Sequence, residues 1–147
     1  MPIVLAVVAM VGIVAGVALA RRLLLVVRVN GVSMAPALRP GQRLLVLRAP
    51  LPLRAGAIVV FREPGQDDQG SVAGWVVKRA VAVAGDSVPE PVRPAVGGAT
   101  TVPAGMVVVL GDGMTSADSR LWGFLPARAI AGRVVATLGT AASARQR

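Results

Sequence analysis

The hydrophobic pattern splits the chain into two unequal parts. Residues 2–20 form an apolar run with no charged side chain, closed by Arg21 and Arg22. As a helix, nineteen residues rise about 28 Å, close to the roughly 30 Å of bilayer hydrocarbon, so the run predicts one membrane-spanning anchor over 2–22. A cleavable signal normally opens with a basic residue, and none precedes this run. Ala18-Leu19-Ala20 does spell a small-x-small cleavage site, which keeps removal as the alternative. Beyond Arg22 the apolar runs are short and punctuated by Gly and Pro. They predict strands over residues 23–29, 43–47, 57–61, 74–84, 105–110 and 130–138, with a turn at Asn30-Gly31 and loops over 62–73 and 86–104. The expected fold is mainly β, an antiparallel sheet or barrel-like domain over 23–139 behind one helix. A small, polar tail at 140–147 is expected to fray.

Composition narrows the chemistry. Apolar residues make up 54% of the chain and aromatics only 3%, so the core must be built from Val, Leu, Ala and Ile, and such β-branched content favours strands. With no His, the chain carries neither a Ser-His-Asp triad nor a His-based metal site. With no Cys, it has no disulfide, thiol nucleophile or thiolate site. Seven acidic residues include one adjacent pair, Asp67-Asp68, in a Gly/Gln segment that reads as a solvated turn. No metal and no cofactor is expected. The net charge of +9 suits an anionic bilayer surface. A coding bias toward Arg accounts for it equally well. Nucleic acid is not an expected partner, because the Arg residues are scattered, stacking aromatics are scarce and no helix-turn-helix pattern occurs.

Three segments carry chemistry. Lys78 is the only Lys among sixteen basic residues, the other fifteen being Arg. Arg stays protonated in proteins whereas a desolvated Lys amine can become neutral, so Lys78 is the one basic side chain able to act as a base. It follows apolar Trp75-Val76-Val77, where burial would lower its pKa; a chance surface Lys is the plain alternative. Ser33 lies in Gly31-Val32-Ser33-Met34-Ala35-Pro36, followed by Pro40-Gly41, a stiff segment suited to holding a hydroxyl. Ser needs a neighbouring base, and without His the candidate is Lys78. The third segment, residues 111–123, crowds Asp112, Thr115, Ser116, Asp118, Ser119 and Arg120 before Trp122-Gly123. Ser116 is a candidate to orient the Lys amine, and Asp118 with Arg120 to brace the loop.

Together these segments resemble the type I signal peptidase family, the Ser–Lys dyad signal and leader peptidases. The serine box appears as Ser33-Met34-Ala35-Pro36 with Pro40-Gly41, and the base box as Lys78-Arg79 followed by 80–84 and Gly85-Asp86. The closing box appears as Gly111-Asp112, Ser116-Ala117-Asp118-Ser119-Arg120 and Trp122-Gly123. The match runs from about residue 27 to 135, in family order. It implies a serine endopeptidase with Ser33 as nucleophile and Lys78 as general base. Ser116, Asp118, Arg120 and Arg79 would support them, and the Ser33 amide would serve the oxyanion. Shallow pockets near Ser33 and Met34 would take small residues before the cut. Its partners would be signal- or leader-bearing proteins and the lipid bilayer; no signal speaks to oligomeric state.

The sequence also departs from the family pattern. Ala37 stands where Thr is common, Gly31 where some members carry an oxyanion-donating Ser, and Gly113 where Asn is common. These mark a compact, divergent member, and a dedicated maturation peptidase is the alternative to a general one. A non-catalytic membrane-anchored β module is the reading from another class. The resemblance implies a single-pass protein of the cell membrane with an extracytoplasmic catalytic domain. By the positive-inside rule, Arg21-Arg22 favour the opposite orientation.

Overall fold

A computed structural model of the chain describes residues 1–48, 52–63, 74–114 and 116–140. Asp67-Asp68, Thr115, most of the 62–73 loop and tail residues 141–147 lie outside the described residues.

Helix α1, Pro2–Leu23, buries none of its side chains and contains an 18-residue stretch of mean hydropathy 2.9, long and apolar enough to cross a membrane. Pro at the helix start removes one of the amides that the first turn leaves unpaired, and Arg21 and Arg22 complement the negative end of the helix dipole. The chain then turns extended at Leu24 with no intervening linker.

The rest is mainly antiparallel β. Among the described residues seven strands form one sheet: β1 (Leu24–Arg28), β2 (Gln42–Leu47), β3 (Ile58–Arg62), β4 (Trp75–Val83), β5 (Met106–Leu110), β6 (Leu125–Pro126) and β7 (Ile130–Thr140). Their order is β1-β2-β7-β3-β4-β5-β6, with every neighbouring pair antiparallel. The apolar runs become strands within one or two residues of their predicted ends. The last strand is inserted between β2 and β3, and continues to Thr140 opposite Gln42.

Three short elements carried no usable sequence signal. β6 has two residues, too few for an alternating pattern. A 3₁₀ helix, Glu90–Val96, occupies part of the predicted 86–104 loop. Its prolines read as breakers, yet Pro91 sits where a helix needs no amide, and Val92 is fully buried beneath it. Helix α2, Ser119–Trp122, is a single turn in the 111–123 segment.

The packing that matters most for the site is the cluster of Val27, Val29, Met34, Leu38, Leu44 and Val77. Each such side chain withdrawn from water contributes about 1.5–3 kcal/mol. Burial of Met34 and Leu38 therefore ties the segment after β1 down onto the sheet. A second cluster under β3, β4 and β5 includes Val59, Phe61, Ala80 and Val109, with Trp122 packed against it.

Candidate active site

Four pieces of chain meet at one cleft. The first is the segment that leaves β1. The Val29 amide donates to the Gln42 carbonyl at 2.8 Å, holding the chain to β2. Gly31 then turns it with φ of 82°, a left-handed conformation that a side chain would strain. Buried Met34 anchors the next stretch, and the Ala35–Pro36 bond is cis. Ser33 is left half-buried at the lip.

The second piece is β4. Lys78 pairs with Val59 across the β3–β4 ladder and is only 3% exposed. Its Nζ donates to Ser116 Oγ at 2.6 Å. Burial lowers its pKa from the usual lysine value; Asp118 and Glu63 pull it upward and Arg120 pushes it down. Desolvation is the largest effect, since an ammonium loses its hydration in an apolar strand.

The third piece is the loop after β5. The Gly113 amide donates to the Ser33 carbonyl at 2.9 Å, so this loop holds both the Ser33 backbone and the Lys78 amine. Gly111 sits between them: an added Cβ would run into Ser116 Oγ and stand 2.6 Å from the Ser33 carbonyl oxygen. Nothing larger than hydrogen fits.

Asp118 is the fourth piece and is fully buried. It caps α2 and accepts from the Arg120 amide (3.1 Å), Arg120 Nε (2.9 Å), Arg120 Nη2 (2.7 Å) and the Gly111 amide (2.9 Å). Burial alone would raise its pKa. Hydrogen bonds from the Arg120 side chain, the Gly111 and Arg120 amides and the Ser116 hydroxyl outweigh it and hold the carboxyl at about 2. A polar line thus runs from Lys78 through Ser116 to Asp118 and Arg120.

Ser33, Met34, Lys78, Glu63 and Trp122 line one cleft of about 180 Å³. Ser33 and Lys78 share this cleft without a hydrogen bond between them. Arg79 grips Asp112 with two bonds, of 3.0 and 2.7 Å, and reaches the Gly56 carbonyl at 3.1 Å, strapping the Gly111–Gly113 turn to the segment before β3. Among the described residues, no three acidic, His or Cys side chains converge as a metal site would require.

Three residues at or beside the cleft were given no role of their own by the sequence reading. Ser119 is fully buried and its Oγ accepts from the Val109 amide at 2.9 Å, joining α2 to β5. Glu63 reaches the cleft from the end of β3, and no spacing marked it. Trp122, quoted only as part of a motif, meets Phe61 edge-on at 6.2 Å, so it forms a cleft wall fixed by the core.

No curated protein matches the chain. The family model for signal peptidase, peptidase S26, matches residues 2–91 and 89–138, nearly the whole length, and the chain belongs to that family.

Proposed function

We propose that this chain is a membrane-anchored serine endopeptidase that removes signal or leader segments, with Ser33 as nucleophile and Lys78 as general base. The observation that carries the reading is the sole Lys, buried on the cleft that Ser33 lines, with its amine on Ser116. A surface Lys kept by chance would be solvated.

In the reaction, neutral Lys78 takes the Ser33 hydroxyl proton as Oγ adds to the scissile carbonyl. The resulting ammonium returns that proton to the leaving amine, giving an acyl-enzyme. Lys78 then deprotonates a water that hydrolyses the ester. Ser116 positions the amine: its hydroxyl is turned to Asp118, so its oxygen lone pairs face Nζ. That leaves the amine's own lone pair for Ser33. Catalytic hydrogen bonds commonly tighten only when substrate excludes water, and the Ser33–Lys78 contact forms at that stage. The Ser33 amide has no acceptor among the described residues and serves the oxyanion.

Two open sheet edges support the substrate geometry. Among the described residues, β1 ends the sheet and pairs only with β2. On β4 the β5 ladder begins at Arg79, leaving residues 75–78 without a strand partner on that side among the described residues. A groove of about 480 Å³ lies between Leu25–Arg28 and Trp75, and it meets the catalytic cleft at Asn30 and Trp75. An extended leader adds a strand there, running from the end of α1 toward Ser33. Five residues of β1 span about 17 Å, so cleavage falls that far beyond the bilayer boundary. The catalytic domain lies on the extracytoplasmic side, with Arg21 and Arg22 among the headgroups.

The test is cleavage of a leader-bearing substrate with small residues one and three positions before the cut. Full-length Ser33→Ala and Lys78→Ala should each lose activity by about a thousandfold or more. Cleavage surviving either change would exclude the dyad. No cleavage by the unaltered chain on several leaders would favour the non-catalytic module.

A further inference from the structure

A second cavity lies away from the catalytic cleft. It has a volume of about 560 Å³ and opens where the end of β2 meets the start of β7 and the β4–β5 connection. Arg48, Arg128 and Arg133 line it beside apolar Leu53, Val83 and Ile130. No carboxylate is among its lining residues that are described. None of the three guanidinium groups pairs with a carboxylate among the described residues. Three arginines on one cavity with no acidic residue beside them make it electropositive, which favours an anion there.

The position of the cavity says which anion. The Arg48 amide donates to the carbonyl of Leu23, the last residue of α1, at 2.7 Å. The next residue back, Leu47, pairs with Leu24 on one side and Arg133 on the other. Arg48 and Arg133 therefore sit at the level where the chain leaves the helix. With α1 as the membrane anchor, the reading on which this inference rests, that level is the headgroup layer, about 5–8 Å deep per leaflet.

We infer that this cavity binds an anionic phospholipid. Its phosphate pairs with Arg48, Arg128 and Arg133, and the first carbons of its acyl chain lie against Leu53, Val83 and Ile130. Guanidinium is suited to phosphate oxygens because its fork of N–H groups matches them two at a time. An apolar wall beside a cationic rim, continuous with a membrane helix, fits an amphiphile better than a free ion. The bound lipid would fix the domain's tilt on the bilayer, and with it the direction in which the β1 edge faces incoming leaders.

The test uses the full chain in a neutral detergent, titrated with dioctanoyl phosphatidylglycerol or dioctanoyl phosphatidylcholine. Bound lipid is read by native mass spectrometry and by the rise in Tm that a ligand of the folded state produces. The anionic lipid should bind at least tenfold more tightly. Each basic contact near an anionic headgroup is worth about fivefold, so R128Q/R133Q should weaken that binding about 25-fold and R48Q about fivefold. The R128K/R133K variant should keep most of it, which guards against a glutamine variant that folds poorly. R21Q/R22Q should retain the headgroup preference.

Equal affinity for the two lipids would overturn the inference, as would a preference that survives R128Q/R133Q. So would a preference lost in R21Q/R22Q alone, which would assign it to the helix end. An equal Tm rise with inorganic phosphate would mean a free-anion site, and a dimer abolished by R128Q/R133Q would mean the face receives a second copy. Either result counts against the lipid. Cleavage is not measured, so failure here is separable from failure of the peptidase reading.

Discussion

Gly111→Ala perturbs both halves of the proposed catalytic pair with one methyl group. The new Cβ would overlap Ser116 Oγ and lie 2.6 Å from the Ser33 carbonyl oxygen, 0.4 Å inside the 3.0 Å that real Cβ contacts keep. The Ser33 carbonyl cannot rotate away, because it is backbone held by the Gly113 amide at 2.9 Å. The Ser116 hydroxyl can move only by giving up its 2.6 Å bond to Lys78. Overpacking of this size costs about 1–3 kcal/mol, a fall in Tm of roughly 5–10 °C for a domain of this length. The kinetic cost is larger, since a misplacement near 1 Å between reacting groups slows catalysis about a hundredfold. Steady-state kinetics on a leader substrate should therefore show kcat lowered about a hundredfold with KM changed only a few-fold, because the groove along β1 is untouched. A variant with kcat within about threefold of the parent would refute the idea that this loop sets the Ser33–Lys78 geometry. Equal losses in kcat and in folded fraction would do the same, by reducing the effect to stability.

Two other substitutions test the electrostatics. Lys78→Arg should abolish cleavage although it keeps the charge, whereas the parent's rate should climb with pH through a lysine pKa below its ordinary value. Burial lowers that pKa, so between the folded and unfolded values the unfolded chain binds more protons and the parent gains stability as pH rises. Lys78→Met should accordingly be inactive yet more stable at neutral pH, with an advantage that shrinks as pH rises; a pH-independent difference in Tm would contradict the assignment. Asp118→Asn removes a buried carboxylate whose pKa falls from 3.8 to about 2 on folding, a difference worth about 2 kcal/mol. Because the folded pKa is the lower one, that stability is complete above about pH 4 and is lost as pH falls toward 2. Denaturant unfolding should show the variant weaker by about 2 kcal/mol at pH 7 and nearly equal to the parent at pH 2; an undiminished gap at pH 2 would count against it.

The membrane-length helix and six of the seven strands were legible because their signals are local. An unbroken apolar run and short apolar runs between Gly and Pro are properties of consecutive residues. Lys78 stood out by composition alone, as the one cation in the chain with an accessible neutral form. Ser33 and the 111–123 loop stood out by motif. Arg79, read as part of the base box, proves to be a strap between Asp112 and the Gly56 carbonyl. Glu63 carried no signal, and Ser119 was visible only as a motif member, since their places on the cleft and on β5 depend on how the strands and loops pack.

The amino-acid order by itself determined which segments become helix or strand and which chemistries are excluded, because propensity, periodicity and residue type act over a few neighbours. Only the tertiary structure decided that Lys78 is buried, that its amine rests on Ser116, and that Asp118 is ionised deep inside. The same holds for three arginines sharing a cavity beside the end of α1. Desolvation and Coulomb forces depend on distance through space, and the fold sets those distances by inserting β7 between β2 and β3 and laying the loop after β5 across the end of β1.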